Sequence, residues 1–217
     1  MKVQIITLFP EMFTGILSSS MLWRAQSKGI VNYEYINLRD FGLGPRRQVD
    51  DTPYGGGDGM LLRPEPIVAA IEVAKKQDPS ACVILPTPRG SLYKQSEAKK
   101  LAASDQGLIL ICPRYEGYDE RIIHWVDKSY CIGTYVLTGG ELPAMVIIDS
   151  VVRLLPGVLG GEHSADIESF QADDKTVEFP QYTRPETFRS YDVPKVLLNG
   201  NHAAIDVWRK QRQSRSN

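Results

Sequence analysis

The chain has 217 residues, 42% of them hydrophobic and 24% charged, with a formal net charge of −1. That is long enough to bury one large core plus a small one, and too apolar for wholesale disorder. No run approaches the ~20 apolar residues that cross a bilayer, and MKVQIITLFPEMF offers no small-residue cleavage site, so a cytoplasmic protein is expected.

In chain order, Val3 to Phe9 reads as a buried strand, and Pro10 opens a helix with Met12, Phe13, Ile16 and Leu17 on one apolar face. VNYEYINL, from Val31, alternates like a half-buried strand. A Gly/Pro/Asp loop runs from Gly42 to Arg63, after which Pro64 and Pro66 start a helix carrying Ile67, Ile71 and Ala74. Three similar units follow. ACVILP is a strand, then the loop Thr87 to Leu92, then a helix around Glu97 to Ala103. LILIC is a strand, then the loop Pro113 to Tyr118, then a helix through Ile122 and Val126. SYCIGTYVL is the third strand, then Thr138-Gly139-Gly140, then a helix from Glu141 to Leu155.

Apolar strands alternating with helices predict an α/β domain with a mostly parallel sheet covered on both faces. Ligands of such sheets bind beyond the carboxyl ends of the strands, where all three loops lie. Handedness and connectivity rules alone lead to an unknotted, doubly wound sheet. From Gly157 to Lys175 no period remains, which reads as a mobile linker. A small domain follows from Thr176, with PQYTRPETF extended and His202 to Arg215 helical. The expected division is 1–160, linker 161–175, and 176–217.

Cys82, Cys112 and Cys131 include no CxxC pair, and His124, His163 and His202 lack HExxH spacing, so reduced thiols and no metal site are expected. The last eighteen residues carry Arg209, Lys210, Arg212 and Arg215 against Asp206, a local +3. Arg209, Arg212 and Arg215 recur at helical spacing, either facing a phosphate backbone or forming a solvated helix end.

DDTPYGGGDGM holds Gly55, Gly56, Gly57 and Gly59 beside Tyr54, a density that suits close approach to a partner. It matches neither GxGxxG nor GxxxxGK[ST], which disfavours a dinucleotide or nucleoside triphosphate enzyme. In PRYEGYDER, Asp119 and Glu120 are first-turn charges that suit the helix dipole, whereas Arg114 and Glu116 lie before the helix and read as ligand or substrate contacts. Gly139 and Gly140 precede a helix N-terminus, where free amides await an acceptor. Ile132, Tyr135, Val136, Leu137 and Leu142 around them suit a neutral purine better than a phosphate. Arg153 interrupts an apolar helix face and must find a partner, Asp149 one turn earlier, or a cavity.

Taken together, LFPEMF, DDTPYGGGDGML, PRYEGYDER, IGTYVLTGGELPAM, DSVVRLLPGV, YTRPE and PKVLLNGNHAAIDVWR span Leu8 to Arg209. In these segments and their order the chain resembles the bacterial tRNA (guanine-N1)-methyltransferases that modify the guanosine 3′ of the anticodon. The resemblance implies a trefoil-knotted SPOUT methyltransferase domain, a small helical C-terminal domain and an obligate homodimer with active sites at its interface. It implies S-adenosyl-L-methionine as methyl donor, a tRNA anticodon stem-loop as partner and no membrane; any magnesium dependence is likewise an expectation from the family. It also implies continuation past Asn217, hence a shortened or truncated C-terminal domain here.

By the same resemblance, the donor lies against Leu85, Pro86, Thr87 and Pro88; Pro113, Tyr115, Glu116 and Gly117; Ile132, Gly133, Thr134, Tyr135, Val136 and Leu137; and Gly139, Gly140 and Pro143. Tyr54, the four loop glycines, Arg114, Arg209 and Arg212 are the expected tRNA contacts. Arg153 matches the family's catalytic arginine, and Glu168, in ESF, stands where an aspartate is usual. Pro113 replaces a common glycine and Thr134 a common aspartate. Glu168 is the expected general base, with Asp166 in reserve. The alternatives are a knotted methyltransferase with another RNA target and a non-catalytic RNA-binding relative.

Overall fold

The computed structural model describes residues 1–160 and 168–215. The chain divides into two compact units, Met1–Gly160 and Gly161–Asn217. In the first unit the elements run β1 (Lys2–Thr7), α1 (Glu11–Leu17), α2 (Ser20–Ser27), β2 (Asn32–Asn37), β3 (Asp50–Asp51), β4 (Leu61–Leu62), α3 (Pro64–Gln77), β5 (Cys82–Leu92), α4 (Gln95–Ala103), β6 (Leu108–Ile111), a 3-10 turn (Glu120–Trp125), β7 (Lys128–Cys131) and α5 (Glu141–Val152). Five strands form one sheet in the order β2-β1-β6-β5-β7, every neighbouring pair parallel.

β6 and the first half of β5 are apolar because both faces of the sheet are covered there. Successive residues take opposite faces: Leu108 and Leu110 join Phe13, Leu17, Leu101 and the α5 residues Ile147, Ile148 and Val151, whereas Ile109 and Ile111 join Ile67, Ala70, Ile71 and Ala74 of α3. Helices α1, α2, α4 and α5 therefore cover one face and α3 with the 3-10 turn covers the other.

Several expectations are corrected. Residues 87–92 were expected as a loop, but β5 continues to Leu92: Pro86 and Ser91 both face Tyr130, and the residues between them bulge outward. Gly90 permits the return, since a Cβ there would collide with the Ser129 carbonyl and the Tyr130 amide. The third strand stops at Cys131, so 132–137 are loop; β7 is an edge strand, and Val136 is 94% exposed. The segment through Ile122 forms a 3-10 turn, with the Asp119 side chain accepting from the Arg121 amide. Helix α2 was not expected, because its eight residues SMLWRAQS bury only Leu22 and Ala25. On α1, Phe13 and Leu17 are buried while Met12 and Ile16 are more than a third exposed.

The second unit contains β8 (Thr176–Val177), β9 (Thr187–Phe188), β10 (Tyr191–Asp192), α6 (His202–Arg212) and β11 (Ser214–Arg215). Part of the stretch expected as linker is folded: the Phe170 amide donates to the Thr176 carbonyl at 2.6 Å, and the Asp173 carboxylate accepts from the Lys175 amide. Helix α6 begins on Asn201, whose side chain accepts from the Ala204 amide at 3.2 Å, and ends at Arg212. Arg215 pairs with Thr176 in an antiparallel ladder, so it does not extend the helical row of Arg209 and Arg212. Among the described residues this unit thus holds α6, a 3-10 turn at Lys195–Leu197 and two short antiparallel ladders, β9–β10 and β8–β11.

Gly90→Ala should lower the unfolding free energy by about 1–3 kcal/mol, because backbone atoms must move to admit one methyl group. Urea denaturation followed by far-UV circular dichroism measures it.

Candidate active site

A cleft of about 610 Å³ opens beyond the carboxyl ends of β5, β6 and β7. The β5 bulge contributes Pro86, Thr87 and Pro88; the segment after β6 contributes Pro113, Arg114, Tyr115, Glu116 and Gly117; the segment after β7 contributes Ile132, Gly133, Tyr135, Val136, Leu137, Gly139 and Gly140, with Pro143 from α5. The structure thereby brings together all but two of the residues expected around the donor. Leu85 is wholly buried, since strand alternation turns its side chain into the core with Val83 and the α3 residues. Thr134 is exposed on the 132–137 loop and does not line the cleft. The lining also includes residues not expected around the donor, among them Leu61, Arg89, Tyr118, Glu120 and Tyr130.

The floor of the cleft is built on a buried charge pair. Arg114 Nε lies 2.8 Å from Glu141 Oε2, with the two side chains 16% and 0% exposed. The N–H does not point at that oxygen, so the contact is an ion pair rather than an aligned hydrogen bond. The other carboxylate oxygen accepts from Thr7 Oγ1 at 2.9 Å, and Thr7 Oγ1 accepts from the Phe9 amide at 3.0 Å. The guanidinium stacks 4.5 Å from the centre of the Phe9 ring and donates to the Thr138 carbonyl at 3.3 Å. Arg114, expected as a substrate contact, is therefore folded back into the protein. Beneath it the Cys112 thiol is enclosed, and its pKa is pushed well up by burial and by Glu141.

This arrangement also revises the reading of Gly139 and Gly140. The Gly140 amide is not free, because it donates to the Pro113 carbonyl at 2.7 Å. A Cβ on Gly139 would lie 2.5 Å from Arg114 Nε, and one on Gly140 would meet the Pro113 ring and the Cys112 backbone. These glycines allow two loops to touch. Pro113 keeps its carbonyl as an acceptor, and its missing amide costs nothing in that contact.

The glycine-rich segment connects β3 and β4, with Gly55, Gly56, Gly57 and Gly59 all at positive φ and Tyr54 fully exposed. It is tied to the 113–119 segment: the Glu116 amide donates to the Met60 carbonyl at 3.0 Å, and the Leu62 amide donates to the Gly117 carbonyl at 2.9 Å. Gly59 is required by close approach, as a Cβ would lie 2.5 Å from the Glu116 side chain. Tyr115 holds a positive φ of 62° at the cleft, and partial burial raises its phenol pKa.

Arg153 caps the C-terminus of α5, its amide donating to the Asp149 carbonyl at 3.1 Å. In the second unit, the Glu168 carbonyl accepts from the Gln171 amide at 3.3 Å. Asp166 lies outside the described residues. Arg209 ion-pairs with Asp206 at 3.7 Å and stands 4.9 Å from the Phe179 ring centre, while Arg212 is exposed in the last turn. Among the described residues no group of three His, Cys, Asp or Glu is placed to hold a metal ion, and no helix is long and apolar enough to cross a membrane.

Arg114→Met should destabilise the fold by about 3–5 kcal/mol, because Glu141 is left as a buried carboxylate without its cation. Chemical denaturation would show it, and a change below about 1 kcal/mol would mean that the pair is exchangeable with solvent.

The family model for tRNA (guanine-1)-methyltransferase TrmD matches residues 1–217. The tRNA (guanine-N(1)-)-methyltransferase of Anoxybacillus flavithermus is 52% identical, with 99% of this chain and 87% of that protein aligned. That of Geobacter sulfurreducens is 51% identical, with 98% and 86% aligned. The crystal structure of tRNA (m1G37) methyltransferase from Aquifex aeolicus superposes with a TM-score of 0.79 at 35% identity, covering 96% of this chain and 87% of the other. With the cleft built from the same three loops that the motifs mark, the chain belongs to the tRNA (guanine-N1)-methyltransferase TrmD family.

Proposed function

We propose that the cleft holds S-adenosyl-L-methionine and that the chain methylates N1 of the guanosine immediately 3′ of the anticodon in tRNA. The lining carries the reading. It is mostly backbone, proline and apolar side chain, and its two arginines are each paired, Arg114 with Glu141 and Arg89 with Glu120 at 3.3 Å. A phosphate finds no uncommitted guanidinium, whereas a purine finds apolar walls and backbone polar groups. The Glu116 carboxylate at the rim suits a positively charged ligand. Pro86 to Pro88, Pro113 to Gly117 and Ile132 to Gly140 would hold the donor, which supplies an electrophilic sulfonium methyl group when bound.

Guanine N1 carries a proton and is a poor nucleophile at neutral pH. Glu168 takes that proton as general base, and Arg153 stabilises the negative charge that develops on O6. A guanidinium suits O6 because its donors match guanine acceptors. Asp166 is the reserve base. A single-stranded anticodon loop is the fitting substrate, since duplex RNA hides the base edge. The Tyr54 loop and the Arg209–Arg212 end of α6 supply contacts to it, by stacking and by charge.

A homodimer is part of the same reading. Leu142 and Val146, one turn apart on α5, are 46% and 47% exposed, and Met12 and Ile16 are similarly exposed on the adjoining α1, an apolar surface that suits a second copy of the chain. The trefoil knot belongs to the same reading and rests on membership of the family.

Incubation with methyl-labelled donor and tRNA transcripts that differ only in the base 3′ of the anticodon tests the function. Label should enter only the guanosine transcript; equal labelling, or none, overturns the proposal. Arg153→Ala and Glu168→Ala should each lower the single-turnover rate roughly 100-fold or more while tRNA binding persists. Val146→Glu should shift the sedimentation coefficient to that of a monomer.

A further inference from the structure

We infer that Glu141 and Thr7 are positioning residues for the methyl donor, acting through Arg114. The inference rests on the donor reading of the cleft. Neither residue lines the cleft, and both are wholly buried. Between them they fix a guanidinium that bridges the segment after β6 to the segment after β7. Glu141 enters from the first turn of α5, Thr7 from the end of β1, and Arg114 from the segment after β6. Arg114 reaches the carbonyl of Thr138 in the segment after β7, and its face covers Phe9.

The 113–117 segment and the 138–140 turn are joined both by this guanidinium and by the Gly140 amide, which donates to the Pro113 carbonyl. A guanidinium held by a carbonyl, the Met12 thioether and a ring, none of them charged, could still turn about its long side chain. A carboxylate anchored by the Thr7 hydroxyl removes that freedom, because one oxygen is committed to Thr7 and the other to Arg114. Glycine at 139 is the complementary requirement, since any side chain there would occupy the space of Arg114 Nε. The pair therefore sets how far the 113–117 segment stands from the 138–140 turn, the spacing that a bound donor must match.

The variants Glu141→Gln, Thr7→Val and Thr7→Ser test this. Glu141→Gln keeps the shape and removes the charge; Thr7→Val keeps the volume and removes the hydroxyl; Thr7→Ser restores it. The primary measurement is the Kd of S-adenosylhomocysteine by calorimetry, which needs no turnover, followed by KM for donor and for tRNA. Glu141→Gln should weaken S-adenosylhomocysteine by about tenfold or more and raise the donor KM in parallel, with kcat at saturating donor and the tRNA KM changed less than about threefold. Thr7→Val should follow in the same direction, and Thr7→Ser should keep the wild-type Kd. If Glu141→Gln fails to fold, the Thr7 pair decides, because it leaves both charges in place. Wild-type affinity in a folded Glu141→Gln or in Thr7→Val overturns the inference alone. Equal loss in kcat and in both KM values also overturns it, as general damage to the fold. A wild-type chain that does not bind S-adenosylhomocysteine overturns the donor reading as well.

Discussion

One charge pair that water barely reaches organises the carboxyl edge of the sheet. Arg114 and Glu141 would each be costly to bury alone, and they are tolerated because each satisfies the other while Thr7, Phe9 and Thr138 take up the remaining directions. Much of the surrounding sequence can be read as a consequence. Gly139 and Gly140 leave room for Arg114 and Pro113, and Thr7 places a buried hydroxyl at the end of β1. The Cys112 thiol sits against the same carboxylate. The cleft is the space left above this assembly.

The elements legible in the sequence were those whose pattern serves packing alone. β1, β6 and α3 carry apolar residues at the period of their structure, and they lie where that period places them. The segment after β7 misled for the opposite reason. Tyr135, Val136 and Leu137 look like a strand core but are exposed at the cleft, so their hydrophobicity does not serve the interior. Helix α2 was invisible because its polar residues outnumber its two buried anchors.

The site was legible as a set of segments and less so as a set of roles. Proline- and glycine-bearing loops gather at one edge because the strands before them are parallel and adjacent. Arg114 could not be assigned from its position before a helix, since the decision between facing outward and folding back depends on Glu141 and Thr7, which are distant in sequence. The signal available was a carboxylate opening a helix whose other inward residues are aliphatic.

The strand order has a further consequence for how the chain comes to be made. β1 is made before the other strands of its sheet, yet one of its two neighbours is β6, with Val3 opposite Leu108, and the face it shares with α1 and α2 is completed only when α4, α5 and Val158 are added. The amino terminus must therefore remain exposed as an incomplete parallel edge through most of the synthesis of its domain. Contacts so distant along the chain make for slow assembly and a long exposure to aggregation or chaperone capture, so the final closure of this domain is timed by translation itself.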